Sequence, residues 1–546
     1  TDRVLKALGE EMVRVCTAPV SASELQRARA IREADFLFAM ETMSGQARTL
    51  AFFETMMGDM HEADAYLDRL QGVTSKELMD AAAAYLRPDN LSIGLLAPKG
   101  SGVTLPEKDV IAAFSLSSGT GEAKKGEDLK PHVKATRIFL GNGARVIIKE
   151  NNHLPVVSIT GGFLGGVRLE GARKWGISGF VSEMLTRGTE KRSASEIAAA
   201  VDALAGRLEG FSGKNSFGVS ARFLSKDLFR GLELTADVLL HPAFPESEME
   251  KVREDILASI RAKKDRPTPL LFDLFYKTLF RQHPYGHPET GTEKTIRAIQ
   301  QRDLVAWHGG LVVPSNFVLT VVGDVKKDQL LPFLKTLFGD FALSSSPGPT
   351  PVAAEAPLKK PRQAHLTRPG SQTHLVVGYL GAHLKGKDNA PMALIDTALS
   401  GQGGRLFSQL RDRQSLAYAV TAFRRPGLET GVFGVYIATD PSKASAARQG
   451  IFRELNQVRE EGLTDKELAD AKKYLLGNLR IGLQTNASQA MQMTLDELYG
   501  LGHDYREKYI QEIEAVTLED IKRAAGKIIG PDNFVFVTVG PEGKSP

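Results

Sequence analysis

"PDNFVFVTVGPEG", residues 531–543, is a Pro-Asp-Asn turn followed by an apolar run of strand length. A β-branched and aromatic run bounded by turn residues reads as a buried strand. The phrase stands twice more, as "PSNFVLTVVGDVK" from Pro314 and "PDNLSIGLLAPKG" from Pro88, at steps of 217 and 226 residues. The agreement extends upstream without gaps. Glu24-Leu25 matches Glu467-Leu468 and Val73-Thr74 matches Val516-Thr517, both at an offset of 443. The chain is therefore a repeat protein whose units close with helices and then this strand.

The helices announce themselves by pattern. "SASELQRARAIREADFLFAMETM" and "TDKELADAKKYLLGNLRIGLQT" begin at Ser21 and Thr464, residues suited to cap a helix N-terminus. Complete units near 135–343 and 366–546 open with strands. "ARVIIKE" and "PVVSITGGF" read as a hairpin, and "THLVVGYLG" opens the second complete unit. Strands with segregated helices predict an α+β fold of repeated two-layer sandwiches, each a mixed, mainly antiparallel sheet with helices on one face. "SSGTGEAKKGED" and "SSSPGPTPVAAEAP" are linkers by composition, giving linker segments 101–134 and 344–365. Residues 1–100 hold helices and one closing strand, but no strands to pair with it. A lone apolar strand leaves its amides unpaired. The first unit is thus expected to be truncated at its start and completed by something else.

Bulk properties narrow the function classes. At 546 residues the length suggests roughly three to four domains. The net charge of +4 shows no polyanion-binding excess, which argues against nucleic acid. Cys16 is the only cysteine, excluding an internal disulfide and a thiolate zinc cluster. No apolar run approaches the roughly 18 residues of a membrane span, and residues 1–15 alternate charged and apolar character unlike a signal peptide.

"KWGISGFVSEMLTRGT", Lys174–Thr189, reads as a loop entering an amphipathic helix. Its frame of Gly176, Ile177, Phe180, Met184, Leu185, Gly188 and Thr189 resembles the zinc-motif frame of the pitrilysin/insulinase family, the inverzincins. The resemblance covers essentially the whole chain and implies that pairs of units build half of a clamshell. Metal-binding members carry His-x-x-Glu-His inside this frame, because imidazoles at i and i+4 share one helical face and the Glu reaches the metal-bound water. Here the corresponding slots hold Gly179, Ser182 and Glu183, and the third ligand falls at Ser259. Such a set cannot build a three-ligand zinc site. No cofactor is expected on this chain.

"LSGQGGRLFSQLRDRQSLAYAVTAF", Leu399–Phe423, resembles the family segment in which an Arg and a Tyr seven positions later act in catalysis, here Arg411 and Tyr418. Local pattern predicts a short helix over Arg405–Arg413 and a strand over Leu416–Thr421, so the pair flanks a helix-to-strand turn. The resemblance implies that both contact substrate near the scissile carbonyl, whose developing negative charge a phenol and a guanidinium can stabilise. Read locally, Arg411 beside Asp412 is an ordinary solvated ion pair and Tyr418 a strand tyrosine with a wet hydroxyl. Gly401, Gly403 and Gly404 form a turn that in the family abuts the substrate path. The turn lacks the Gly-Lys-Ser/Thr of a nucleotide loop. His283 and His287 are separated by Pro284 and Gly286, so they share no helical face and read as a structural loop. Gly206–Leu224 resembles the strand along which active members add substrate, but Glu209-Gly210 replaces the usual Asn-rich pattern. "MQMTLDEL" reads as helical core.

The expectation is a metal-free half of a two-halved zinc metalloendopeptidase acting on unfolded peptides. Zinc is expected on a complementary half, either upstream in the same polypeptide or on a separate subunit. The alternative is a non-catalytic structural or binding subunit of the same fold, like the core subunits of respiratory complexes. Many bacterial relatives are exported, so the resemblance points to the periplasm.

Overall fold

The structure is a computed structural model that describes residues 2–86, 134–339, 341, 348–401 and 403–541. They form two compact parts. Of the described residues, those in 2–86, 153–156 and 199–206 fall in one, and those in 134–152, 157–198 and 207–541 in the other. The strand predicted from Pro88 and the linker at 101–133 lie outside the described residues.

The smaller part is helical: α1 Asp2–Thr17, α2 Ala22–Ala39, α3 Met43–Met57, α4 Glu62–Gly72 and α5 Ser75–Tyr85. Buried Leu25, Leu37, Phe53 and Ala65 form its interior, with Tyr66 against the rings of Phe36 (5.1 Å) and Phe53 (6.0 Å).

The larger part carries the two complete repeat units. In the first, β1 Thr136–Phe139, β2 Arg145–Glu150, β3 Val156–Leu164, β4 Arg207–Ser212, β5 Ser216–Leu224 and β6 Phe317–Gly323 form a sheet of order β1-β2-β6-β3-β5-β4. Its helices are α6 Ile177–Met184, α7 Ala194–Ala203, α8 Leu228–Leu240, α9 Glu246–Lys263, α10 Pro267–Leu279, α11 Glu293–Ala298, α12 Gln301–Leu311 and α13 Lys327–Leu337. The second unit has β7 Arg362–Thr367, β8 Thr373–Gly381, β9 Ala419–Arg425, β10 Gly431–Thr439 and β11 Phe534–Gly540, in order β7-β11-β8-β10-β9. Its helices are α14 Asn389–Leu399, α15 Ala444–Glu461, α16 Asp465–Gly482, α17 Asn486–Leu498, α18 Tyr505–Ala515 and α19 Leu518–Ile528.

The closing strands behave alike. β6 runs parallel to β2 and antiparallel to β3, while β11 runs parallel to β7 and antiparallel to β8. The hairpin predicted from "ARVIIKE" and "PVVSITGGF" is therefore corrected: β6 inserts between β2 and β3. Local spacing cannot reveal this, because the inserted strand lies more than 150 residues away in sequence. β7 starts at Arg362, inside the segment whose composition suggests a linker.

The repeat is visible in helix capping. Ser21, Thr42 and Thr74 cap α2, α3 and α5, and their counterparts Thr464, Thr485 and Thr517, each 443 residues on, cap α16, α17 and α19. Each accepts the backbone N–H three residues ahead, satisfying one orphan donor of the first turn. A capping box at Ser21 and Thr464 adds a Glu that returns the bond, through Glu24 and Glu467.

Each sheet presents one face to its own unit's helices. In the first, Phe163 stacks with Phe217 (5.4 Å) and Phe317 (5.0 Å), and the Leu239 side chain of α8 fills the space over Gly161. The other face is covered by a helix from the opposite unit. α17 lies on the first sheet, with Thr494 Oγ1 bonded to Thr320 Oγ1 at 2.7 Å and Leu498 packed on Ile147 and Val318. α10 lies on the second, where Leu271, Phe275 and Leu279 meet Val376, Val432, Val535 and Val537. This exchange explains why β3, β6 and β11 read as nearly continuous apolar runs: both faces of each strand are buried.

Candidate functional site

α6 carries the degenerate motif. It begins after Gly176, whose φ of 90° is left-handed, and the buried Glu170 carboxylate caps it by accepting Gly176 N–H at 2.8 Å and Ser178 N–H at 3.1 Å. Burial pushes the Glu170 carboxyl up to about 7 against those two bonds, which favour its charged form. The first turn is tied to β4 by a 2.7 Å bond between the Ser178 and Ser212 hydroxyls. Close approach of α6 to β4 requires Gly210, since a Cβ there would lie 1.9 Å from the Ser182 carbonyl oxygen.

The four positions singled out from sequence meet in space. Gly179, Ser182, Glu183 and Ser259, with Asp255 and Phe211, line one cleft of about 550 Å³ between α6, α9 and β4. Their chemistry does not fit zinc. Gly179 has no side chain, the Ser182 hydroxyl is spent on the Gly179 carbonyl at 3.0 Å, Ser259 offers a neutral hydroxyl, and no imidazole lines the cleft. Among the described residues, no three His, Cys, Asp or Glu side chains converge on a metal-sized point. The cleft keeps the carboxylates of Glu183, Asp255 and Glu289 but has none of the imidazoles of the family's motif.

A second cleft of about 630 Å³ shares Glu289 and Thr290 with the first and lies between the two complete units. Lys214 reaches Glu289 at 3.2 Å and sits 4.1 Å over the Tyr276 ring. Burial pushes the Lys214 ammonium below its ordinary value, only partly offset by Glu289. From the other unit come Arg424, Arg425 and Asp396, whose carboxyl burial pushes up to about 6 despite Arg424. Sequence reading misses this cleft, because its residues come from segments far apart that share no motif. His287 stacks on Trp175 at 3.9 Å, while His283 is buried with Nε2 3.3 Å from Glu429 and Nδ1 accepting from Tyr285 N–H. His287 lines the second cleft, whereas His283 does not.

Arg411 and Tyr418 flank one turn. Phe407–Arg413 is a π-helix, and Arg411 lies 4.4 Å over the Phe407 ring at its solvent-facing end. Ser415 takes a φ of 49°, and buried Leu410 and Leu416 anchor the turn from both sides. The predicted strand starts at Ala419 rather than Leu416, so Tyr418 stands just ahead of it, its N–H bonded to the Ala438 carbonyl. Tyr418 is 61% exposed. Neither side chain lines either cleft. Upstream, Gly401 has a φ of 78°, and a Cβ at Gly404 would lie 2.1 Å from the Ser400 carbonyl, so both glycines are needed for the turn, while a Cβ at Gly403 would meet open space. Arg405, bonded to Glu467 at 2.6 Å, pins the turn to α16. Burial alone would raise the Glu467 carboxyl, yet Arg405 and Thr464 hold it at about 2.

Comparison with known proteins gives concordant results. Residues 145–293 match the model described as insulinase (peptidase family M16), and residues 298–475 match that described as peptidase M16 inactive domain. An uncharacterized zinc protease of Mycobacterium leprae is 30% identical over 433 residues, covering 77% of this chain and 96% of the relative. An uncharacterized zinc protease of Bacillus subtilis is 26% identical over 407 residues, covering 74% and 98%. Among solved structures, a peptidase M16 inactive domain from Pseudomonas fluorescens superposes with a TM-score of 0.71 at 26% identity, covering 76% of this chain and 99% of that one. A protease from Helicobacter pylori shares the fold with a TM-score of 0.70 at 21% identity, covering 75% and 100%.

Proposed function

Because the chain belongs to the insulinase (M16) family of peptidases, we propose that it is the metal-free side of a two-part zinc metalloendopeptidase. The observation that supports this reading is the 550 Å³ cleft, which brings together Gly179, Ser182, Glu183 and Ser259, none of them the residue that the family's zinc motif requires at its position. A unit selected for zinc would not keep Gly179 and Ser259 there, yet α6 retains its cap, its packing and its approach to β4.

In this reading a complementary peptidase-like half holds the zinc that activates water, and this chain contributes donors. The Tyr418 hydroxyl and the Arg411 guanidinium, both exposed beside one anchored turn, donate hydrogen bonds to the carbonyl oxygen of a bound peptide as negative charge develops on it. The Gly401–Gly404 turn lies next to that path and lets peptide backbone approach closely. The substrates are unfolded peptides, and a periplasmic location accords with an exported bacterial enzyme.

The test is reconstitution with a zinc-bearing M16 half on a fluorogenic peptide. The chain alone gives no cleavage, and the mixture gives zinc-dependent cleavage. Tyr418→Phe lowers kcat about 10²–10³-fold with little change in KM, the usual loss of one oxyanion donor. Undiminished kcat in the Tyr418→Phe mixture removes these residues from the mechanism.

A further inference from the structure

The cleft of about 630 Å³ between the two complete units takes its walls from both. α10 supplies Phe272 and Tyr276, and β9 supplies Phe423, whose ring meets that of Phe272 edge-on at 5.1 Å. Four cations line it against three carboxylates: Lys214, Lys263, Arg424 and Arg425 against Asp273, Glu289 and Asp396. Burial pushes His287 below its ordinary value, so the imidazole adds no charge at neutral pH.

Two of the cations are accounted for. Lys263 contacts Asp273 at 2.6 Å. Arg424 donates to Asn389 at 2.8 Å and to the Tyr509 hydroxyl at 3.0 Å, and it lies near enough to Asp396 to favour the charged carboxylate. Lys214 and Arg425 are left to share Glu289. They come from different units and meet at one side chain: the Lys214 ammonium sits 4.1 Å over the Tyr276 ring, and Arg425 stands beside the Tyr276 hydroxyl. Each disfavours the other's charge, and Arg425 makes no ion pair among the described residues. Lys214 is 17% exposed, whereas Glu289, its partner at 3.2 Å, is 56% exposed and screened by water. Taking an ammonium out of water costs free energy that such a partner returns only in part. Like charges gathered in a partly buried cleft, one charge short of neutrality, mark the place of a single anion.

We propose that this cleft holds the free carboxyl terminus of a peptide, its carboxylate received between Lys214 and Arg425 and its last side chain set against Phe272 and Phe423. One negative charge completes the count, whereas a phosphate, at about −1.5 to −2, exceeds it. A terminal residue carries a carboxylate and an apolar side chain on the same carbon, matching the cations and rings that line the cleft together. The volume lies in the range of about 300–1,000 Å³ usual for small-ligand sites, which suits a chain end. Through Glu289 and Thr290 the subsite adjoins the cleft of the degenerate motif. The proposal goes beyond the composite peptidase and rests on it only for the choice of a peptide as ligand.

The test is fluorescence anisotropy of a labelled, short apolar peptide ending in phenylalanine, titrated with the full chain alone at neutral pH and low salt. The free acid should bind about tenfold or more tightly than the same peptide amidated at its C-terminus, the effect of one charge-assisted contact. Arg425→Gln and Lys214→Met should each abolish that preference. Glu289→Gln, which removes the competing carboxylate, should strengthen binding of the free acid. Lys466→Gln, at a side chain of α16 that is 88% exposed, should change nothing. Circular dichroism identifies a variant that fails to fold, in which case the others decide. Equal binding of acid and amide overturns the proposal, as does a preference that survives either cation substitution in a folded variant. An amidated peptide with an internal aspartate that binds as tightly as the free acid overturns it too, by assigning the site to acidic side chains. Displacement of the peptide by an equal concentration of inorganic phosphate does the same, by assigning it to a free anion. A preference for the free acid without reconstituted cleavage keeps the subsite and sinks the composite peptidase. Reconstituted cleavage with no such preference does the reverse.

Discussion

Replacing Glu497 by Gln tests whether the exchange of helices between units is held by charge as well as by packing. Its carboxylate, 6% exposed, lies 3.1 Å from Arg137 and 3.7 Å from Arg145. It sits in the last turn of α17, where the helix dipole disfavours negative charge, so the two arginines must compensate. Glutamine keeps the shape and removes the charge. The Arg145 guanidinium, which burial already pushes below its ordinary value, then loses its counterion. At 3.1 Å and an effective dielectric of about 20 the gross attraction to one arginine is ~5 kcal/mol. Desolvation returns much of this, and Arg137 is 39% exposed and screened by solvent. The net loss should be about 2–3 kcal/mol, within the range for breaking a largely buried pair from one side. Urea unfolding of the full chain, followed by circular dichroism, reads it as a lower midpoint. Arg145→Met in the Glu497→Gln background should cost at least ~1 kcal/mol less than in the parent. Additive losses, or a Glu497→Gln loss below ~0.5 kcal/mol, would refute the charge clamp.

Phe275→Ala removes a fully buried ring of α10 that fills the space over Gly378 and meets Phe423 at 5.8 Å. It should cost about 3–5 kcal/mol in the same unfolding assay, and a loss under ~1 kcal/mol would mean that α10 is not part of the core. Asp396 has its carboxyl pushed from 3.8 up to about 6, so the folded protein keeps a proton that the unfolded chain releases between those values. Stability from this group therefore falls as pH rises through 3.8 to 6 and stays lower above it, by up to about 3 kcal/mol. Asp396→Asn should flatten that part of the pH profile and raise the midpoint at pH 7; an unchanged profile refutes the burial argument. The combined variant Gly179→His, Ser182→Glu, Glu183→His and Ser259→Glu restores a zinc donor set in a cleft with room for it, since a Cβ at Gly179 would be 3.9 Å from its nearest neighbour. Metal analysis should find one zinc per chain, and none bound would show that the cleft no longer holds the geometry of a metal site.

Much of this protein was legible without coordinates, and the legible parts share a cause. The closing strands are apolar and bounded by turns, the helix starts carry Ser or Thr three residues before Glu or Asp, and both signals are local. The loss of the zinc donors was equally local for α6, because His-x-x-Glu-His is a spacing on one helix and Gly179, Ser182 and Glu183 occupy it. Ser259, placed from the pattern of a second helix, lies in the same cleft. Local patterns misled at sheet pairing, where the β6 insertion dissolved a hairpin that β2 and β3 suggest. They were silent on the cleft of Lys214, Tyr276 and Asp396, and on Glu170, whose role as the α6 cap depends on a fold-back of the preceding loop.

The amino-acid order by itself determined where most of the described helices and strands lie, that their capping and closing-strand patterns recur, and that α6 carries a degenerate zinc motif. Hydrogen bonds within a turn and the periodicity of burial act over a few residues and leave their mark in the text. Only the tertiary structure decided which sheet each helix covers, because that choice is made by surfaces meeting across hundreds of residues. α10 and α17 look like ordinary members of their own repeat units, and only their burial shows that each covers the sheet of the neighbouring unit.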